Sequence, residues 1–571
     1  MASPLRTALL CLGTLTCVGC GGGKTTPDDA APEAQAGTPA RVKNVILMIG
    51  DGMGPQQVGL LEAYATRAPN SIYEGRPTGF HQLMDEGELG MSRHYPADGV
   101  VVDSACSATQ LATGAPAGLE MVGLDAQGNP AQTIIELGRE MGKATGIVSD
   151  TRITHATPAS FAAHVAHRSM ENEIAIQMLA ANVDVLLSGG LQRWVPKGYD
   201  KAAVGQMVGG AFTLKSSKRK DDRDLLAEAR AAGYSIAFDR KGLDTASDKV
   251  LGLFAWSGMA DGITHSAHKD KADRRQPTLK EMTMAALDRL SKDPDGFVLM
   301  VEGGQIDWAG HSNDAGQMLH EMLKFDEAVG YVHQWVKARK ENDTLLVVTA
   351  DHETGSFGFS YSRNDLPEGK KLPGSGFDGL TYRPSFNFGH VDKLAMLYQQ
   401  SKTFGQMVGQ LADETRKRPG DLKIDYDADS PTEITRKEKA RAQAMREIFN
   451  AHSAFKIDEA QALRMVQMEP NAYHVEGEYR DGHPHKYMKQ KWVPKFDDME
   501  EFYVNGTYDI KGLMGRVVAP LQGVVWGTGT HTHTPVPVIS YGPTEATALF
   551  KGLIHHVEIG QGLKAVLESS R

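Results

Sequence analysis

The feature that most constrains this chain is a repeated one: short, near-continuous apolar runs set apart by helical patterns. The stretch KNVILMIGDGMGPQQ carries such a run up to Gly50. Others cover residues 145–149, 184–187, 297–301, 345–349 and 536–540, with helical periodicity over 131–143, 170–181 and 317–337. A strand that is apolar on both sides must be covered on both sides. The pattern therefore predicts an α/β fold with a mostly parallel central sheet and helices on both faces. Ligands of such sheets bind beyond the carboxyl ends of the strands. From about 356 to 526 the strand rhythm fades into Gly/Pro-rich loop, an amphipathic charged stretch (432–450) and the basic, aromatic HPHKYMKQKW. This segment reads as a large insertion between two strands of one catalytic domain spanning 43–571. The polar stretch 216–224 reads as a surface loop. The sequence contains no internal repeat and no membrane-spanning run.

With 571 residues, 41% of them hydrophobic and 23% charged, the chain can bury a large core. A formal net charge of −10 excludes a partner gripped mainly through phosphate contacts, so no nucleic-acid-binding surface is indicated. The N-terminus reads as an export signal over residues 1–20: Arg6, then a short apolar segment to Val18, then Gly19-Cys20. Gly-Cys after such a segment resembles a bacterial lipoprotein cleavage site, which implies a lipidated Cys20, although Cys17 stands where an aliphatic residue is usual. Ordinary signal cleavage is the alternative. Residues 21–42 have the composition of a flexible tether. The expected location is the periplasm or the cell envelope. Cys11, Cys17 and Cys20 lie in the signal, so the mature body holds one thiol, Cys106, and no internal disulfide.

The chemistry gathers at the predicted strand ends. Asp51 sits in IGDGMG, Glu302, Asp307 and His311 in MVEGGQIDWAGHSND, Asp351 and His352 in TADHETG, and His531 in GTHTHTPVPV. Mixed His and carboxylate ligands suit zinc, and oxygen ligands suit magnesium. A helix after Ile306 would put Asp307 and His311 on one face. Each piece alone fits a helix cap or a polar loop; their joint placement points to a metal site. In ADGVVVDSACSATQLATG, Ser104 can be a helix cap or a nucleophile. No G-x-S-x-G pattern surrounds it, which favours activation by a metal over a base triad.

Taken together, these motifs resemble the alkaline phosphatase family, and within it the marine-bacterial members with a long insertion. The resemblance covers residue 44 to about 543. It implies hydrolysis of small-molecule phosphate monoesters through a phosphoserine, with two Zn2+ and one Mg2+, in a homodimer. The family's D-S-A-x-S-A-T motif is matched from Asp103 to Thr109, which implies Ser104 as the nucleophile beside Asp103. It further implies one zinc on Asp307, His311 and His531. The second would lie on Asp51, Asp351, His352 and Ser104, and magnesium on Asp51, Thr157 and Glu302. Arg168 in AHVAHRSM matches the arginine that grips phosphate. Spacing to the following YGP turn selects His531 over His533 as the ligand.

Two positions depart from the enterobacterial pattern of Asp and Lys: His155 and Trp308. His155 is expected to meet the magnesium site through a water. Trp308 contacts substrate without offering a positive charge, so phosphate should be held less tightly. His265, His268, His390, His483 and His485 are expected to be polar loop residues. Cys106 is expected to be a small buried residue on the helix after Ser104, with a reactive thiol as the alternative. A phosphodiesterase or sulfatase, and a non-catalytic phosphate-binding lipoprotein, are the competing functions.

Overall fold

The computed structural model describes residues 42–474, 490–497, 499–503 and 509–569. The export signal with Cys11, Cys17 and Cys20, the tether up to Arg41, and His483 and His485 lie outside the described residues. Sixteen strands are present among those described. In chain order they are β1 (Asn44–Gly50), β2 (Glu88–Arg93), β3 (Ala144–Arg152), β4 (Val185–Gly189), β5 (Ser235–Ala237), β6 (Val250–Leu253), β7 (Phe297–Gly303) and β8 (Thr344–Thr349). There follow β9 (Glu353–Thr354), β10 (Phe357–Phe359), β11 (Met468–Pro470), β12 (Trp492–Pro494), β13 (Val524–Trp526), β14 (His531–Thr532), β15 (Val536–Tyr541) and β16 (Gly552–His555).

Ten of these form one sheet in the order β16-β2-β15-β8-β1-β7-β3-β4-β6-β5. Its pairs are parallel except where β15 runs antiparallel to β2 and β8. The apolar runs are buried on both faces, as their composition demands. Ile46, Met48, Leu299, Val301 and Val348 pack into one core; Val45, Leu47, Ile49, Val298, Met300 and Val347 pack into the other. The long helix Ala315–Lys337 covers the first face and the helix Ser104–Thr113 the second. The sheet register then fixes the site. Ile49 of the central strand β1 lies beside Glu302 of β7 and beside Thr349 of β8, so Asp51, Glu302 and Asp351 emerge at one carboxyl edge. Glu302 itself belongs to β7, which runs two residues past the apolar run, to Gly303.

Between β8 and β15 the chain builds a helical body around its own apolar core. Phe404, Met407, Met445, Phe449, Met514 and Val518 meet there, from helices Phe404–Lys417, Pro431–His452 and Asp509–Gln522. No helix among the described residues is long and apolar enough to cross a membrane.

Candidate metal centre and nucleophile

Three overlapping groups of ligand atoms lie at the carboxyl edge, each with atoms within 4.8 Å of one another: Asp307/His311/His531, Asp51/Asp351/His352 and Asp51/His155/Glu302. The residues after β7 form the helix Gln305–His311, which brings Asp307 Oδ1 to 3.3 Å from His311 Nε2. His531 arrives on β14, which pairs with β9, and its Nε2 stands 3.5 Å from Asp307 and 3.2 Å from His311 Nε2. Each of these rings donates its Nδ1–H to a backbone carbonyl, His311 to Gly529 at 2.7 Å and His531 to Val102 at 2.8 Å. A carbonyl can only accept, so when both rings are neutral their Nε2 atoms carry lone pairs that face each other across 3.2 Å. A proton or a metal ion must lie between them, and the Asp307 carboxylate beside both rings favours either. Nδ1–H on a carbonyl is how metal-binding imidazoles are held.

The second group crosses chain segments through backbone contacts. Asp351 Oδ1 accepts from Gly52 N at 3.1 Å and from His352 N at 2.9 Å. Gly52 has φ +76°, and a Cβ there would stand 2.6 Å from Asp307 Cα, so only glycine lets these two strand ends close together. His352 Nε2 lies 3.2 Å from Asp351 Oδ2, 3.6 Å from Asp51 and 3.2 Å from Ser104 Oγ. The His352 and His531 rings stack at 3.6 Å, joining the first group to the second.

Electrostatics give these groups a shared meaning. Both oxygens of Asp51, Asp351 Oδ2, Glu302 Oε1, Thr157 Oγ1 and His155 Nδ1 are buried with no hydrogen-bond partner. Buried polar atoms are rarely left in that state. Burial, then the charges of Asp351, Asp307 and Glu302, push the Asp51 carboxyl well above its ordinary range. Burial and Asp307 push Asp351 up to about 7, and burial with Asp150 and Asp351 pushes Glu302 up to about 8. Burial also raises Asp307, but His311, His531 and His352 outweigh it and hold that carboxyl well below the usual range. Carboxylates packed this way require added positive charge, and their oxygen and imidazole donors fit divalent cations.

Ser104 differs from one of its expected roles. It is the first residue of the helix Ser104–Thr113, and the cap is Asp103, whose carboxylate accepts from Ala105 N and Cys106 N. Two amides of the first helical turn are thus taken. A carboxylate one residue earlier reaches them better than a hydroxyl, leaving Ser104 Oγ to point at His352. Asp103 also accepts from Glu120 N at 2.7 Å and Arg168 Nη1 at 2.9 Å. It therefore fixes the guanidinium beside the nucleophile.

His155 Nε2 lies 3.4 Å from Arg168 Nη2, which can only donate. In that arrangement the proton sits on Nδ1, which suits contact with an oxygen or a water more than ligation. Thr157 lies beside Glu302. Trp308 is half-buried and stands edge-on to His155, ring centroids 5.9 Å apart. His533 lies apart from the ligands, with its ring 5.9 Å from that of His94. His265 and His268 are on the helix Gly262–His268 and not in a loop; His265 is buried 3.6 Å from Glu327. His390 is exposed, as expected of a loop residue. Cys106 is fully buried and donates to Ala117 O, and burial pushes its thiol up, which leaves no reactive thiolate.

Several supporting residues escaped the sequence reading. Ser149 and Thr151 donate to Glu302, and Thr354 Oγ1 donates to Asp307 Oδ1 at 2.6 Å. Asp150 Oδ1 accepts from Gly304 N at 2.7 Å and its carboxylate pairs with buried Lys324 at 2.8 Å. Ser149-Asp150-Thr151 follows an apolar run just as Asp51 does, and the same signal would have found it.

The alkaline phosphatase family model matches residues 42–453. Among curated proteins, alkaline phosphatase 3 of Bacillus subtilis is 38% identical over 336 residues, 58% of this chain and 66% of that protein. The repressible alkaline phosphatase of Saccharomyces cerevisiae is 36% identical over 332 residues, 55% of each. The matches thus span about two thirds or less of these relatives' own length. Among solved structures, the cold-active alkaline phosphatase of Shewanella sp. aligns with TM-score 0.59 and 25% identity over 92% of this chain and 99% of that one. The Thermus thermophilus alkaline phosphatase shares the fold, with TM-score 0.66 and 24% identity over 96% of each chain. The three ligand groups and the buried serine therefore sit in a chain that belongs to the alkaline phosphatase family.

Proposed function

We propose that this protein is an exported, metal-dependent alkaline phosphatase that hydrolyses phosphate monoesters through a phosphoserine at Ser104. The observation that carries the reading is the set of unpartnered buried oxygens and converging imidazole nitrogens around one serine hydroxyl. In this reading two zinc ions are held by Asp307, His311 and His531, and by Asp51, Asp351 and His352 with Ser104. A third ion, magnesium, is held by Asp51, Glu302 and Thr157. When bound, these ions supply Lewis-acid charge to the Ser104 oxygen and to the phosphoryl oxygens.

The chain's own residues do the rest. Arg168 presents Nη2 toward the site, while Asp103 holds Nη1, and together they orient the guanidinium for the phosphoryl group. Asp103 and the helix it caps hold Ser104 with its hydroxyl turned from the backbone toward His352. Ser104 Oγ forms the bond to phosphorus as the bond to the alcohol oxygen breaks, and the departing alcohol takes up the proton that the serine loses. Water then attacks phosphoserine, the Ser104 Oγ–P bond breaks as Oγ takes up a proton from that water, and inorganic phosphate leaves. Positioning and charge compensation suffice for such a transfer.

The export signal supports a periplasmic or envelope location, with Gly19-Cys20 supporting lipid anchoring, and the family supports a homodimer. The decisive test joins metal analysis to turnover of p-nitrophenyl phosphate by the wild type and Ser104→Ala. The variant should lose about a thousandfold or more while keeping its metals. Normal turnover by Ser104→Ala sinks the reading. Faster cleavage of bis-p-nitrophenyl phosphate or of the sulfate ester moves it to a diesterase or a sulfatase.

A further inference from the structure

Four apolar side chains stand exposed on the loops that carry the nucleophile and the arginine: Val100 is 66% exposed, Leu119 45%, Val101 40% and Met170 36%. Single exposed apolar residues are ordinary, but these share one small framework. Ala97 N donates to Ala117 O at 3.0 Å, tying the loop before Ser104 to the loop bearing Leu119. Glu120 N donates to Asp103, and Arg168 N donates to Glu120 O at 2.8 Å, tying that second loop to the arginine and to Met170 beyond it. Val101 lies three residues before Ser104, so their Cα atoms are at most about 11 Å apart. A Cβ built on Gly99 would be 3.9 Å from Leu119 Cδ1, which sets Leu119 against the Val100 turn.

A further apolar side chain reaches Arg168 through His155. His155 Nε2 contacts its Nη2, and Trp308 stands edge-on to His155. The indole lies over Gly258, where a Cβ would be 2.6 Å from the ring. A phosphoryl group seated between Ser104 and Arg168 must send its ester oxygen toward solvent, since the opposite side is filled by buried ligand residues. The organic group on that oxygen leaves the site between these apolar surfaces.

We propose that the Val100–Val101–Leu119–Met170 lip is a binding subsite for the organic part of the substrate. It favours phosphate monoesters of alkyl or aryl alcohols over those of small polar alcohols. This rests on the phosphatase reading above and adds a substrate class to it. Apolar contact should raise kcat/KM by up to about fourfold per methylene that the lip covers.

The experiment compares ethyl and n-hexyl phosphate, whose leaving groups are chemically alike, with the metal-loaded enzyme. The same pair of phosphonates, which cannot be hydrolysed, is titrated by calorimetry. Wild type should prefer the hexyl ester by about tenfold or more, and the hexylphosphonate should bind correspondingly tighter. In Val100→Ser/Leu119→Ser both ratios should fall to about two, while the exposed Val525→Ser, outside the lip, should keep the wild-type ratios. Equal kcat/KM for both esters in wild type overturns the lip and leaves the phosphatase standing. A preference that survives in the double variant also overturns it. Tighter hexylphosphonate binding, lost in the double variant, with neither ester turned over, keeps the lip and removes the phosphatase reading. A change from dimer to monomer in the double variant by light scattering, with the ester ratio intact, makes the surface a subunit interface and overturns the proposal.

Discussion

Two buried carboxylate clusters lie side by side beyond the central strands, and they are balanced differently. Asp150 and Glu321 close around Lys324, whose ammonium stands 2.8 Å and 2.5 Å from them with all three groups nearly inaccessible. Burial pushes that ammonium's pKa down, but the two carboxylates outweigh this and raise it, so the cluster carries its own cation. Asp51, Glu302 and Asp351 have buried oxygens with neither a hydrogen-bond donor nor an ammonium beside them, and Arg168 acts to lower Asp51. A cluster whose charge is balanced internally is architecture; one whose charge is not is a site for something else. The two meet at Asp150, which holds Gly304 N beside Glu302 and Lys324 on its other oxygen.

That contrast can be broken in order of effect. Removing metals with a chelator should abolish turnover and lower Tm strongly. Each site held at a thousand times its Kd contributes about 4 kcal/mol, so calorimetry that finds equal Tm with and without chelator ends the contrast. Lys324→Met should cost about 3–5 kcal/mol in denaturant unfolding, because it leaves two buried carboxylates facing each other. Excess zinc should not restore that loss; full recovery would mean that the Lys324 cluster is also a cation site. A smaller effect concerns pH. In the metal-free protein Glu302 and Asp351 have folded values of about 8 and 7, above their ordinary values near 4. The folded state then binds more protons than the unfolded state between about pH 4 and 8, so stability falls as pH rises through that window. Metal loading displaces those protons and should reverse the trend, as a Tm series with and without zinc would reveal. The smallest effect is on Trp308→Lys, which sets a cation beside His155 and Arg168. Phosphate should then inhibit about tenfold more tightly, and an unchanged inhibition constant removes any part for Trp308 in phosphate affinity.

The balanced cluster was much less legible in the sequence than the unbalanced one. Asp51, Glu302 and Asp351 follow predicted strands directly, with Asp307 and His311 on the segment after Glu302, and a polar residue at the end of a buried run stands out against it. Lys324 sits in LHEMLKFDEAV, where helical periodicity reads it as an exposed position beside Glu321. Its burial depends on the helix Ala315–Lys337 being covered by neighbouring elements all round at that turn, including Gly262–His268. The choice of cap stayed open in the sequence for a similar reason. Asp103 and Ser104 are both good capping residues, and the contacts of Asp103 with Glu120 and Arg168, 17 and 65 residues away, gave Asp103 the role.

By itself the sequence determined which strands are buried on both faces, which polar residues end them, and that Ser104 lies among candidates for metal chemistry. These are local facts, set by hydrophobic pattern and residue type within a few positions. Only the tertiary structure decided which ligands share a group, since Asp307 and His531 are brought together across 224 positions by the β9–β14 pairing. It also decided that Asp103 caps the nucleophile helix, and that one carboxylate cluster holds an ammonium while its neighbour holds none. Charge balance in a buried site is a sum over groups far apart in sequence. Sheet register and helix packing settle that sum, and no local pattern encodes it.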